Sequence, residues 1–266
     1  MAALHVYPIK SCRGLSVESV ALDSRGIALD RRWMVVSAAD GLFLSLRTQP
    51  ELAHVSAEPC GDDLKVSAPG TSELRVHSVR EAPVREVRVW RDSVDALDCG
   101  DEAAAWFSDV LRRPCRLVQF DERKHRLLDA KYSPRPEAET AFADGYPVLV
   151  TNTASLESLN ARLSQAVSMA RFRPNIVVEG AEAFEEERWE RIRVGTVEFD
   201  VVKPCSRCVV VDTDEQGVRR PGPLAELTRS HFREGLGAIF GQNAVPRAVG
   251  SLRVGDAVEI VASRGH

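Results

Sequence analysis

Two cysteines close together, in Cys205-Ser206-Arg207-Cys208, follow Val201-Val202-Lys203-Pro204 and precede Val209-Val210-Val211-Asp212. A zinc site needs four ligands, and the other cysteines (Cys12, Cys60, Cys99 and Cys115) are scattered singly, with no second pair. A thioredoxin-like redox pair opens a helix, whose dipole lowers the thiol pKa, whereas a β-branched run follows this one. A third reading is a soft thiolate on a loop between strands, holding a transition metal through one sulfur, with Arg207 favouring thiolate over thiol. Two buried structural cysteines are the fourth. These four residues alone leave the choice open.

Groups suited to an anion are spread along the chain. Tyr7-Pro8-Ile9-Lys10-Ser11-Cys12 places a hydroxyl and one of only five lysines straight after a short strand. Asp30-Arg31-Arg32-Trp33 puts adjacent arginines on opposite faces of a predicted strand, so that one points inward. Phe172-Arg173-Pro174-Asn175 offers a guanidinium and an amide just before Ile176-Val177-Val178. An arginine fork suits phosphate bidentately and a lysine supplies a point charge. Taken singly, each also reads as an ordinary surface charge. No G-x-G-x-x-G or Walker pattern backs them. His5, His54, His77, His125 and His231 lack metal-ligand spacing, and Glu185-Glu186-Glu187-Arg188 reads as a solvated charge run.

The elements that would position these groups are mostly strands. Leu15–Leu22, Arg32–Val36 and Val84–Trp90 are short and β-branched, punctuated by Gly, Asp and Pro. A helix is predicted at about 102–113, capped by Asp101, with Trp106, Val110 and Leu111 on one face. The polar stretch from Asp121 to Thr140 reads as a long connection or lid, and places a domain boundary between 1–120 and 121–266. Beyond it, Pro147–Val150 is a buried strand leading into a capped helix, where Leu156, Leu159, Leu163 and Val167 form one stripe. Two hairpins are predicted with turns at Gly195-Thr196 and Gly255-Asp256. The expected fold is mainly β with a few helices, α+β, in two barrel-like halves.

The 266 residues carry a formal charge of −4, which argues against nucleic acid as a partner. No apolar run approaches a membrane span, and the start lacks a signal pattern, so a membrane is not expected and a reduced, cytoplasmic setting is.

Together with Phe240-Gly241-Gln242-Asn243 and Gly250-Ser251-Leu252-Arg253-Val254-Gly255-Asp256, these motifs resemble, in their order, the MOSC proteins, named for the molybdenum cofactor sulfurase C-terminal domain. The form with an N-terminal β-barrel domain resembles the amidoxime-reducing molybdoenzymes. The resemblance implies a MOSC N-terminal β-barrel domain over 1–120 and a MOSC β-barrel domain over 121–266. It implies molybdenum with molybdopterin at their junction, with Cys208 as the metal's protein ligand and the catalytic position, and Cys205 as a neighbour shaping the loop. Lys10, Ser11 and Arg31 would take the cofactor's phosphate. Arg173, Ser206 and Arg207, with backbone groups near Gly145-Tyr146 and Asn243, would take the pterin edges, and Asn175 is a further cofactor-binding position.

The implied reaction is two-electron reduction of N-hydroxylated compounds (amidoximes, hydroxylamines, N-hydroxylated bases) to amines. No cysteine follows Cys208 and no dinucleotide fingerprint occurs, so a separate ferredoxin- or cytochrome-like donor with its reductase is expected. The rival expectation is a non-catalytic carrier of molybdenum cofactor or sulfur.

Overall fold

A computed structural model describes residues 1–265. Strands dominate, as the β-branched runs require. The largest sheet runs in the order Val258–Ser263, Trp189–Val194, Val197–Ser206, Gly237–Pro246, Val148–Asn152, Ile176–Val178, Ala3–Val6, Leu15–Val17. At its centre Val148–Asn152 is buried at every position, as expected of a strand covered on both faces. A second sheet orders Trp33–Ser37, Cys115–Phe120, Asp92–Asp98 and Val84–Val89. Smaller sheets complete each half.

The halves are interlaced at the chain's start. Ala3–Val6 pairs antiparallel with Ile176–Val178, and Ser19–Asp23 pairs with Gly250–Arg253. Residues before Lys10 and after Arg173 are thereby brought side by side. One core packs Trp33, Phe107 and Leu117, and another packs Leu4, Ile176, Trp189, Ile192 and Phe199.

Several local expectations are corrected. The first helix is Asp101–Leu111, and its cap is Gly100, whose φ of 92° suits glycine; Asp101 lies inside the first turn and pairs with Arg116 at 2.9 Å. The second helix is only Thr153–Asn160, capped by the Asn152 side chain. It stops because the Asn160 amide bonds the N–H and C=O of Val167 at 2.9 and 3.0 Å, closing a loop that still packs Leu163 and Val167 into the same cluster. The Gly195 hairpin forms, with Val194 opposite Val197. The Gly255 corner does not: its two strands pair with Ser19–Asp23 and with Trp189–Val194, never with each other.

The charge run is not all solvated either. Glu186 is fully buried, its carboxylate accepting from Ser155 Oγ at 2.8 Å. The 121–140 stretch is mostly exposed and is anchored at points, with buried Arg126 donating to the carbonyls of Ala141 at 2.8 Å and Ala143.

Candidate cofactor cleft

A cleft opens where the halves meet. From one side it is lined by Lys10, Ser11, Arg31, Arg47 and Trp90, and from the other by Asp144, Gly145, Tyr146, Arg173, Asn175, Ser206, Arg207, Cys208 and Asn243. Every residue singled out from the sequence therefore lies on one surface.

Backbone conformation helps to aim them. Ser11, Arg31, Trp90 and Arg173 adopt left-handed φ of 69°, 49°, 59° and 55°, conformations that cost a non-glycine residue and that concentrate where function over-determines them. Arg31 lies in a turn ahead of the Trp33–Ser37 strand, not within a strand as expected. The predicted division of labour still appears: Arg31 faces the cleft, while Arg32 turns away to Asp23 at 2.7 Å and Glu122 at 3.1 Å.

Lys10 is buried, donating to the Phe142 carbonyl at 2.7 Å and to Asp144. Burial pulls its pKa below the ordinary lysine value, with Asp144 working against the fall. Burial by itself would raise Asp144, but Lys10, an indole hydrogen bond from Trp90 at 3.0 Å and Arg31 hold it well below the usual carboxylate range. The desolvation comes from the cleft walls that crowd it, while the carboxylate itself opens onto the cleft, leaving its side chain 73% exposed.

Behind Arg31 stands Asp30, which accepts from the Tyr7 N–H at 2.9 Å and from Asn175 at 3.0 Å. The Asn175 amide also donates to the His5 carbonyl at 3.2 Å and accepts from Leu149 N–H at 3.1 Å and Arg31 at 3.2 Å. It thus acts on the cleft by fixing Arg31. The guanidiniums of Arg31 and Arg173 lie 4.5 and 4.3 Å from the centroid of the Tyr7 ring.

The cysteine loop leaves the Val197–Ser206 strand where pairing with Gly237–Pro246 shifts register between Pro204 and Ser206, and such bulges re-aim side chains. The Arg207 N–H bonds the Ala238 carbonyl at 2.8 Å, and Cys208 leads into the short turn Val209–Asp212. The Arg207 guanidinium donates to Cys205 Sγ at 2.9 Å and to the Phe172 carbonyl, leaving its Nε free. Cys208 is half-buried and lines the cleft. Asn243 makes a long bond to the Pro204 carbonyl, at 3.4 Å.

The lining carries five cations, Lys10, Arg31, Arg47, Arg173 and Arg207, against one carboxylate, Asp144. Arg173 Nη2 and Arg207 Nε are buried without an acceptor. Such a wall suits an anionic ligand with several acceptor atoms. Among the described residues no three His, Cys, Asp or Glu side chains gather, so a metal here needs ligands from elsewhere besides one cysteine, and the zinc reading loses its ligand set.

Residues 1–114 match the MOSC N-terminal beta barrel domain and residues 137–259 match the MOSC domain. The chain belongs to the MOSC family. Its MOSC relatives include mitochondrial amidoxime-reducing component 1 of Homo sapiens, 32% identical across 98% of this chain and 82% of its own length. Mitochondrial amidoxime reducing component 2 of Rattus norvegicus is 36% identical, across 95% and 80%, and that of Bos taurus 34%, across 97% and 82%. These relatives correct one expectation: proteins named as mitochondrial point away from the cytoplasmic setting inferred from the sequence. No described helix is long and apolar enough to cross a membrane.

Asp144, Trp90, Tyr7, Asp30 and Arg47 escaped the sequence reading. Asp144 directly precedes Gly145-Tyr146, which was its one available signal. Trp90 sits alone in a turn between two strands, with no spacing to mark it.

Proposed function

We propose that this chain binds molybdenum with molybdopterin and reduces N-hydroxylated compounds (amidoximes, hydroxylamines and N-hydroxylated bases) to amines. The observation that carries this reading is the cleft itself: five cations against one carboxylate, two buried guanidinium nitrogens without acceptors, and two half-buried thiols, Cys205 and Cys208, on the same wall. The names of the relatives at 32–36% identity support amidoxime reduction as the reaction type.

Lys10, Ser11 and Arg31 would hold the phosphate, with Asp30 and Asn175 fixing the Arg31 fork. Arg173, Ser206, Arg207 and Asn243, with backbone at Gly145 and Tyr146, would take the polar pterin edges. Cys208 would supply the thiolate ligand. The bound group supplies the two-electron chemistry, and the protein orients and tunes it. Asp144 keeps a negative charge at the cleft wall, hydrogen-bonded by Trp90, and so limits where an anionic ligand can settle.

Electrons would come from a separate ferredoxin- or cytochrome-like protein with its reductase. In support, burial pushes the Cys12 and Cys99 thiols up to about 12, which makes them poor ligands or redox groups.

Metal and pterin analysis of the purified chain, paired with benzamidoxime reduction by a chemical reductant, tests this reading. Equimolar molybdenum and pterin with turnover is expected. Metal without turnover would favour a carrier, and absence of both after cofactor loading would remove the reading.

A further inference from the structure

A second cavity also lies between the halves and shares Leu46, Arg173 and Val210 with the cofactor cleft. His5, Tyr7, Arg13 and Arg171 line it, with Arg173 and Thr213. Four donor atoms of these residues are buried without an acceptor: Nε and Nη1 of Arg171, Nη2 of Arg173 and Oγ1 of Thr213. Buried donors, charged ones above all, are costly to leave bare, so such a group marks space suited to an acceptor-rich ligand.

The carboxylates on the same wall are already engaged. Asp214 takes Arg220 at 2.9 Å and the N–H groups of Gln216 and Val218 at 3.0 and 2.8 Å, and Glu215 takes the Ser168 hydroxyl. Asp214 is thus neutralised by Arg220, and Arg13, Arg171 and Arg173 face the cavity against one remaining carboxylate charge, that of Glu215.

The far side is rigid. Gly14 is packed so tightly on Tyr7 that a Cβ there would sit 2.3 Å from the ring, and Tyr7 is itself held at 4.3 Å from the Arg173 guanidinium. That side of the cavity is therefore tightly packed.

We propose that this cavity is a second anion site, taking a phosphate group, either free or as the end of a small ester. Three guanidiniums and a hydroxyl match the several oxygens of a phosphate, which arginine forks bind bidentately. The site lies apart from the Lys10–Arg31 end of the first cleft while sharing Arg173 with it, and Lys10→Gln separates phosphate bound at that end from phosphate bound here.

The full chain is titrated calorimetrically with inorganic phosphate and, in parallel, with glycerol 3-phosphate. Saturable binding is expected, weakened about tenfold by Arg171→Gln and by Arg13→Gln, each removing a charged donor. Arg13 is exposed, so its variant keeps the core intact if Arg171→Gln fails to fold. Lys10→Gln should leave this binding unchanged. Tighter binding of the ester would identify an organic phosphate as the ligand, and equal or weaker binding the free ion. No saturable binding, or binding lost in Lys10→Gln but kept in Arg13→Gln, would overturn the proposal.

Discussion

Arg31 is a half-buried guanidinium shared among Asp30, Asn175 at 3.2 Å and the Arg173 carbonyl at 3.2 Å, and Lys10 is an ammonium between Phe142 and Asp144. Hydrogen bonds to charged groups contribute about 1.5–3 kcal/mol each, so Lys10→Ala or Arg31→Ala should weaken cofactor retention by about 10–100-fold. Pterin content after purification reads this directly, and full occupancy in both variants would show that these charges serve something else. Glu186 gives a prediction of another kind. Burial, opposed by Ser155, raises its carboxyl from 4.5 to about 7. The native state then holds a proton that the unfolded chain has released, so stability falls as pH rises from 4.5 through about 7, by about 3 kcal/mol. Glu186→Gln should flatten the decline in melting temperature between pH 5 and 8, and parallel curves for variant and wild type would contradict this. Lys10, Arg31, Arg173 and the cysteine loop were legible because each sits in a run of unusual neighbours. Asp144 and Tyr7 were not, because their importance comes from what long-range pairing sets beside them.

Strands decide where those groups point. Gly241 sits in the Gly237–Pro246 strand at φ 74°, where a Cβ would lie 2.8 Å from both Thr151 Cγ2 and the Val150 carbonyl oxygen. Gly241→Ala should cost about 2 kcal/mol in denaturant unfolding, from left-handed strain and the clash with a central strand; an unchanged midpoint would show that the strands can part there. At this scale the sequence was a good guide to local pairing and a poor one to distant pairing. Val194-Gly195-Thr196-Val197 folds on itself, as its turn chemistry predicts. The similar Gly255-Asp256 corner does not, because its strands find better edges in Ser19–Asp23 and Trp189–Val194. Helix ends depended equally on unseen partners: the Asn160 clamp on Val167 cuts short a stripe that periodicity alone extends.

The whole molecule builds its cleft by interlacing, since Ala3–Val6 closes onto Ile176–Val178 and carries Lys10 to the side of Arg173. Two matching domain families and relatives along nearly the full chain agree with one continuous unit of this kind. Electron supply belongs to this scale too. With NADH and an amidoxime alone the chain should be inactive, and turnover should begin when a reductase and a small electron carrier are added; sustained NADH oxidation without them would contradict an external donor.

The central claim rests on Cys208, and benzamidoxime reduction by cofactor-loaded protein with a chemical reductant tests it most directly. Wild type should form benzamidine, Cys208→Ser should lose that activity, and Cys205→Ser, whose sulfur accepts from the Arg207 guanidinium, should keep a measurable part of it. Equal activity in wild type and Cys208→Ser, or no activity in loaded wild type, would contradict the account.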